Sequence, residues 1–345
     1  MSGRPAADLG KVRCNLRGNI IAGSWRTCVL TYTAGFAGID DTGSLKVVMR
    51  YATDAGRPQF DDPQAPHYVT AVASNGARLQ LRYDLKDNVR PWGKTIHVQV
   101  LQGYLRKGDT IALTLGDRSG GSPGWRMQTF REESFELRVL VDRYATYVYE
   151  RLPKSPTFRI LAGEPGKLVA VAPSLVAPGK RFAVRWRLED CWGNAVGRPR
   201  RFRHAGFAEP GRYTVAVRDD ETGLQAETNP IVVRAGDRYG RFWADLHGQT
   251  EETIGTNTID DYFRFARDVA FLDACAHQGN DFQITDAFWQ QIQQTTRAFD
   301  KPGKFVTFPG WEWSGNTGLG GDRNVLFRTE GGLITRSSRA LVDED

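Results

Sequence analysis

A chain of 345 residues exceeds what one ordinary core supports and points to two or three domains. Hydrophobic residues make up 40% and charged residues 25%, a balance normal for globular protein. No apolar run approaches the roughly 20 residues that cross a bilayer, which argues against a membrane partner. The opening MSGRPAADLGKVR carries charge but no apolar signal core, so the expected location is cytoplasmic.

The net charge of +6 is unevenly spread. Residues 240–345 carry 10 Lys and Arg against 16 Asp and Glu, and the remaining positions carry 36 against 24. The basic residues of the front part are scattered, with one short cluster at Arg198, Arg200, Arg201 and Arg203. This pattern reads as a solvated basic face rather than a nucleic-acid site. The cysteines, Cys14, Cys28, Cys191 and Cys275, form no CxxC pair and no zinc-finger spacing, and read as buried thiols. Cys14 and Cys28 could pair in an oxidising compartment.

Residues 1–152 alternate short β-type runs with Gly, Pro, Asp and Asn turns. The runs are 25–33, 45–52, 68–73, 78–85, 95–102, 110–117 and 135–142. TIHVQV and ELRVLV show the period of two that a half-buried strand requires. Seven strands at this spacing predict an antiparallel sandwich or barrel, with the sandwich taken as the fold. The Pro-marked LPKSPT leads into a smaller β domain over 158–235, with strands at 167–173, 181–188, 212–219 and 229–235. Its turn EDCWGNAVG resembles the D-x-x-G-N turn of bacterial immunoglobulin-like modules.

From Asp237 the pattern becomes strand–helix–strand–helix–strand, which predicts parallel pairing with right-handed crossovers. The strands end in DLH (245–247), FLDACAH (271–277) and KFVTFPGWEW (304–313). Thr258 is the expected N-cap of the first helix, with Asp261 completing a capping box. Tyr262, Phe265, Ala266, Val269 and Ala270 are expected on one face of it. The second helix is expected over 286–299.

Barrels of such units carry their sites at the C-terminal strand ends, where this chain places its unusual polar residues. Asp245, His247 and Gln249 share one strand face by alternation. His277 closes the second strand, and Glu312 lies between Trp311 and Trp313. The loop GNTGLGGDRN (315–324) adds Asp322 and Arg323. Imidazoles and carboxylates converging on one rim suit a divalent cation that activates water. The competing reading makes both histidines structural and pairs Glu312 with Arg323. His67, His97 and His204 read as ordinary surface or packed residues.

DLHGQT (245–250) resembles the first motif, D-L-H-x-H-[ST], of the polymerase-and-histidinol-phosphatase (PHP) superfamily of metal-dependent hydrolases. DLHGQ, PGWEWSGN and GDRNVLF together resemble, over about 237–345, a largely bacterial family known as domain of unknown function 3604. The resemblance implies an opening portion of a PHP-type (β/α) barrel, a TIM-like architecture that ends before it closes. The implied fold class is thus multidomain, β plus α/β: sandwich, immunoglobulin-like module and partial barrel. It also implies metal ligation by His247, Gln249, His277, Glu312 and Asp322, with zinc, manganese or iron. His277, Asp322 and Arg323 are the implied catalytic group, Arg323 holding a small anionic substrate. Gln249 departs from the family's second histidine, and His277 is displaced from the usual second motif. Hydrolysis of a phosphoester is the leading functional expectation. The alternatives are a binding protein with a degenerate barrel and carbohydrate- or protein-binding β domains, or a hydrolase of C–N or ester bonds.

Overall fold

The computed structural model describes residues 9–340; residues 1–8 and the closing LVDED, which carry the readings of the chain ends, lie outside the described residues. Two compact units divide the chain, Met1–Leu161 and Ala162–Asp345.

The first unit places one apolar cluster between two main antiparallel sheets. β1 (Lys11–Cys14), β2 (Cys28–Thr33), β4 (Val69–Ala73) and β7 (Thr110–Leu115) form one sheet in the order β1-β2-β7-β4. β3 (Ser44–Met49), β5 (Arg78–Asp84), β6 (Lys94–Gln102) and β8 (Arg138–Asp142) form the other in the order β8-β3-β6-β5, extended beyond β8 by Glu150–Arg151. All seven runs contain strands, because their alternation gives each an apolar face. Cys28, Leu30 and Tyr32 of β2 point inward with Ile111, Leu113 and Leu115 of β7. Facing them are Val47, Met49, Ile96, Val98, Val100, Val139 and Val141. Trp125 is fully buried among them, its Nε1–H donating to the Gly56 carbonyl at 2.8 Å. Shorter strands, Asn19–Ile21 and Thr157–Leu161 among them, complete the unit.

The second unit holds two apolar clusters. In the first, β9 (Lys167–Val171), β10 (Phe182–Glu189) and β11 (Ala195–His204) make an antiparallel sheet. Beside it, β12 (Ile231–Val233) pairs with Leu175–Val176 and Gly211–Tyr213. The β10–β11 turn is organised by Asp190, whose Oδ1 accepts from the Trp192 and Asn194 backbone N–H groups at 2.9 Å. Sequence reading placed no strand at β11, whose AVGRPRRFRH reads as a basic cluster. It pairs along β10, with Arg201 opposite Arg185 and Arg200 opposite Trp186.

Three parallel strands follow: β13 (Ala244–Gly248), β14 (Ala274–His277) and β15 (Val306–Phe308), in that order. α1 (Ile259–Arg264) and α2 (Asp286–Phe299) lie in the connections. Thr258 and Asp261 form the capping box at α1. The expected apolar face does not continue through 262–270, however. The buried face is instead Ile259, Phe263 and Ala266, at the i, i+4, i+7 spacing of an α-helix, and Phe265 is left exposed; a π-helical turn, Phe265–Val269, carries the helix on.

The expected TIM-like (β/α) barrel is overturned. Among the described residues there are two α-helices, the fold is nearly all β in many small sheets, and the parallel sheet stays open at three strands. A barrel needs about eight strands to close. Here β15 is followed instead by a hairpin of β16 (Gly310–Trp313) and β17 (Arg323–Leu326). No helix among the described residues is long and apolar enough to cross a membrane.

Candidate functional site

Local backbone geometry brings the polar side chains together at the C-terminal ends of β13 and β14 and on the β16–β17 hairpin. Gly248 ends β13 against the Tyr262 ring, and a Cβ there would collide with the ring atoms. The β13–β14 register shifts between Asp245 and Gly248, so strict alternation does not run through the motif. Asp245 consequently turns to local partners: its Oδ1 accepts the His247 N–H at 3.0 Å, and its Oδ2 lies 3.2 Å from the Tyr262 hydroxyl. Burial first, then Cys275 and Asp245, hold the Tyr262 hydroxyl well above its ordinary pKa, so it stays protonated.

Glu312 is the centre of the cluster and is 6% exposed. Its Oε2 accepts from Asn280 Nδ2 at 2.6 Å and from Gln249 Nε2 at 2.9 Å. Its Oε1 lies 3.7 Å from His247 Nε2. Asn280 Nδ2 also donates to Ser314 Oγ at 2.9 Å. The hairpin register sets Glu312 opposite Asn324, and Asn324 Oδ1 lies 2.8 Å from His247 Nδ1. Asn324 Nδ2 donates to the Leu246 carbonyl at 3.1 Å, which fixes Oδ1 as the atom facing the imidazole. Nδ1 therefore donates to Asn324, and Nε2 is the ring nitrogen that faces Glu312. The amide oxygens of Gln249 and Asn280 are buried without a hydrogen-bond partner.

The other predicted residues lie elsewhere. His277 is fully buried, with Nδ1 accepting the Gly279 N–H at 3.3 Å and Nε2 lying 3.0 Å from Thr250 Oγ1. Both nitrogens are engaged, and desolvation lowers its pKa to about 3, leaving a neutral structural imidazole. Arg323 stands opposite Trp313 in the hairpin, its guanidinium 5.5 Å from that ring, on the face away from Glu312. Asp322 lies exposed in the preceding loop.

The structure therefore does not bring the five predicted metal ligands together at one point. Among the described residues, no three or more His, Cys, Asp and Glu side chains gather where they could hold an ion. Two ligand-type side chains meet, His247 and Glu312, whereas a catalytic zinc typically has three. The physical reason is that amides occupy the neighbouring positions, while burial engages His277 in its own hydrogen bonds. Sequence reading missed Asn280, Ser314 and Asn324. The cross-strand register was the signal for Asn324, but it is legible only once the hairpin turn is known. The histidines read as ordinary are packed: His67 stacks on Trp25 at 5.2 Å, His97 Nε2 lies 2.9 Å from the Tyr149 hydroxyl, and His204 lies 4.9 Å from Phe182.

The chain is similar to an uncharacterized protein of Chlamydia pneumoniae, 26% identical over 314 residues, covering 81% of this chain and 50% of that protein. A second uncharacterized protein, from Chlamydia trachomatis, is 26% identical and is matched over 65% of this chain and 41% of its own length. The chain thus spans about half the length of the curated relatives it matches. Among solved structures, a cohesin module from a Clostridium perfringens family 33 glycoside hydrolase covers 45% of this chain and 99% of its own, at 13% identity and a TM-score of 0.29. Residues 225–340, which include every member of the Glu312 cluster, match the family described as protein of unknown function (DUF3604).

Proposed function

We propose that the Glu312 cluster is a hydrolytic centre acting on a small anionic ester, with a phosphoester as the leading substrate class. The observation that carries this reading is the position of Glu312: a nearly buried carboxylate with two amide donors on Oε2 and an imidazole nitrogen 3.7 Å from Oε1. Two N–H donors on one oxygen favour the ionised carboxylate in a site where burial opposes it. A water bridging Oε1 and Nε2 from one side would be held by both groups, and Glu312 is placed to take its proton as the nucleophile attacks. The likeness of DLHGQT to the first PHP motif supports a metal-dependent form of the same reaction. In that form His247 and Glu312 would contribute two ligands to a zinc, manganese or iron ion, and such an ion would supply Lewis acidity to the water.

A panel of phosphoesters, carboxylic esters and amides, with and without these metals, tests the reading. Turnover confined to phosphoesters and lost in Glu312→Gln supports it, whereas turnover of amides alone moves the site to C–N hydrolysis. No turnover by the chain or by a relative of full length sinks it. A second reading, a non-catalytic polar binding site, is favoured by the unpartnered Gln249 and Asn280 oxygens, which suit a ligand rich in hydroxyl or ammonium donors. Binding of such a ligand without turnover, lost in Glu312→Gln, would select it.

A further inference from the structure

Cys14 closes β1 and Cys28 opens β2, and these antiparallel strands set Cys14 opposite Leu30. Cys28 is therefore the diagonal neighbour of Cys14 on the same sheet face. The ladder becomes irregular just beyond, where Asn15 Oδ1 takes the Val29 N–H at 2.7 Å. The two sulfurs lie 3.5 Å apart as free thiols. Their surroundings differ. Cys14 is 9% exposed at a strand end, and its sulfur accepts the Leu16 N–H at 3.3 Å. Cys28 is wholly buried in the apolar cluster.

We propose that Cys14 and Cys28 form a peroxide-oxidised dithiol, converted to an intramolecular disulfide that staples β1 to β2. The asymmetry assigns the roles. Hydrogen bonding from Cys28, then the Leu16 N–H and Arg17, outweigh burial and lower the Cys14 pKa, while Cys28 is held well above the ordinary thiol value. Cys14, less deeply buried and shifted toward the thiolate, is thus the sulfur a small oxidant reaches first. Its attack on a peroxide oxygen breaks the O–O bond, giving Cys14 sulfenic acid and, after protonation, water. The Cys28 sulfur then loses its proton and attacks the Cys14 sulfur, and the S–O bond breaks to release a second water. Two thiols and one peroxide become one disulfide and two waters, with the thiols supplying both electrons. The sulfurs must close from 3.5 Å to a bond of about 2 Å, a movement that the irregular backbone at Asn15 is placed to accommodate. The closed loop, residues 14–28, contains Asn19–Ile21, which pairs in parallel with Thr157–Leu161.

The test uses the whole reduced chain and hydrogen peroxide, followed by thiol counting in denaturant and peptide mapping without reductant. The expected result is a fall from four thiols to two, with a Cys14–Cys28 linked peptide and the loss of two hydrogens in mass. The melting temperature should rise by roughly 5–10 °C and return on adding dithiothreitol. Cys28→Ala should leave a Cys14 sulfenic acid that dimedone traps, and Cys191→Ser should change nothing. Retention of four thiols under peroxide overturns the proposal, as does a linkage through the exposed Cys191. Both readouts on the unaltered chain stand even if the Cys28 variant fails to fold.

Discussion

Asn324 shows how much of the site depends on one residue that presents no catalytic chemistry of its own. It holds His247 by an Oδ1–Nδ1 contact of 2.8 Å and is itself held by the Leu246 carbonyl. Asn324→Leu should weaken function by releasing the imidazole, whereas Asn324→Gln should recover part of it; ring orientation is checked by His247 nitrogen NMR shifts. His277 makes a different prediction. Its folded pKa of about 3 lies below the 6.5 of an ordinary histidine, so the unfolded chain binds the extra proton between these values. Stability from this group is intact above about pH 6.5 and is lost as pH falls toward about 3. Replacing His277 with Gln should flatten the pH dependence of the urea midpoint over roughly pH 4 to 6, relative to the unaltered chain. An unchanged slope would contradict the neutral, buried assignment. His247 and Glu312 were legible in the sequence because strand ends flanked by Gly and Trp are unusual places for them. The structural role of His277 was hidden because nothing in HQGN announces that Gly279 and Thr250 will consume both ring nitrogens.

At the level of elements, legibility followed periodicity. The β2 and β7 runs alternate cleanly, and each presents one buried face. The α1 cap was visible as Thr258 with Asp261, and Thr258→Ala should cost about 1 kcal/mol in chemical denaturation. The π turn after Arg264 was not visible, because one extra residue in a helical turn leaves no mark on composition. β11 was missed for a related reason: its arginines read as a solvated basic cluster, and its strand identity comes from pairing with β10. α2 rests on Phe288, Trp289, Ile292 and Phe299. Truncating Trp289, 5% exposed and edge-on to Trp311 at 5.4 Å, should destabilise the second unit by roughly 3–5 kcal/mol. Tryptophan fluorescence during urea unfolding is the check.

On the scale of the whole molecule, the chain has two compact units, and among the described residues the buried core of the first runs from Cys14 to Ile160. Residues 1–161 expressed alone should keep a β-type circular dichroism spectrum and unfold cooperatively, and a gradual, non-cooperative melt would contradict that assignment. The parallel order of β13, β14 and β15 was legible because helices separate the strands. That this sheet stays open among the described residues was not legible, since closure is a property of strand number rather than of any one motif. The proposed function rests on the second unit and on the pairing of His247 with Glu312 within it. The most direct measurement is the phosphoesterase kcat/KM of the unaltered chain against Glu312→Gln, in the presence of manganese or zinc. A loss of at least about 100-fold, with the variant folded, is the predicted result for a residue that takes a proton from the nucleophile. Equal rates in the two proteins would contradict the central role given to Glu312.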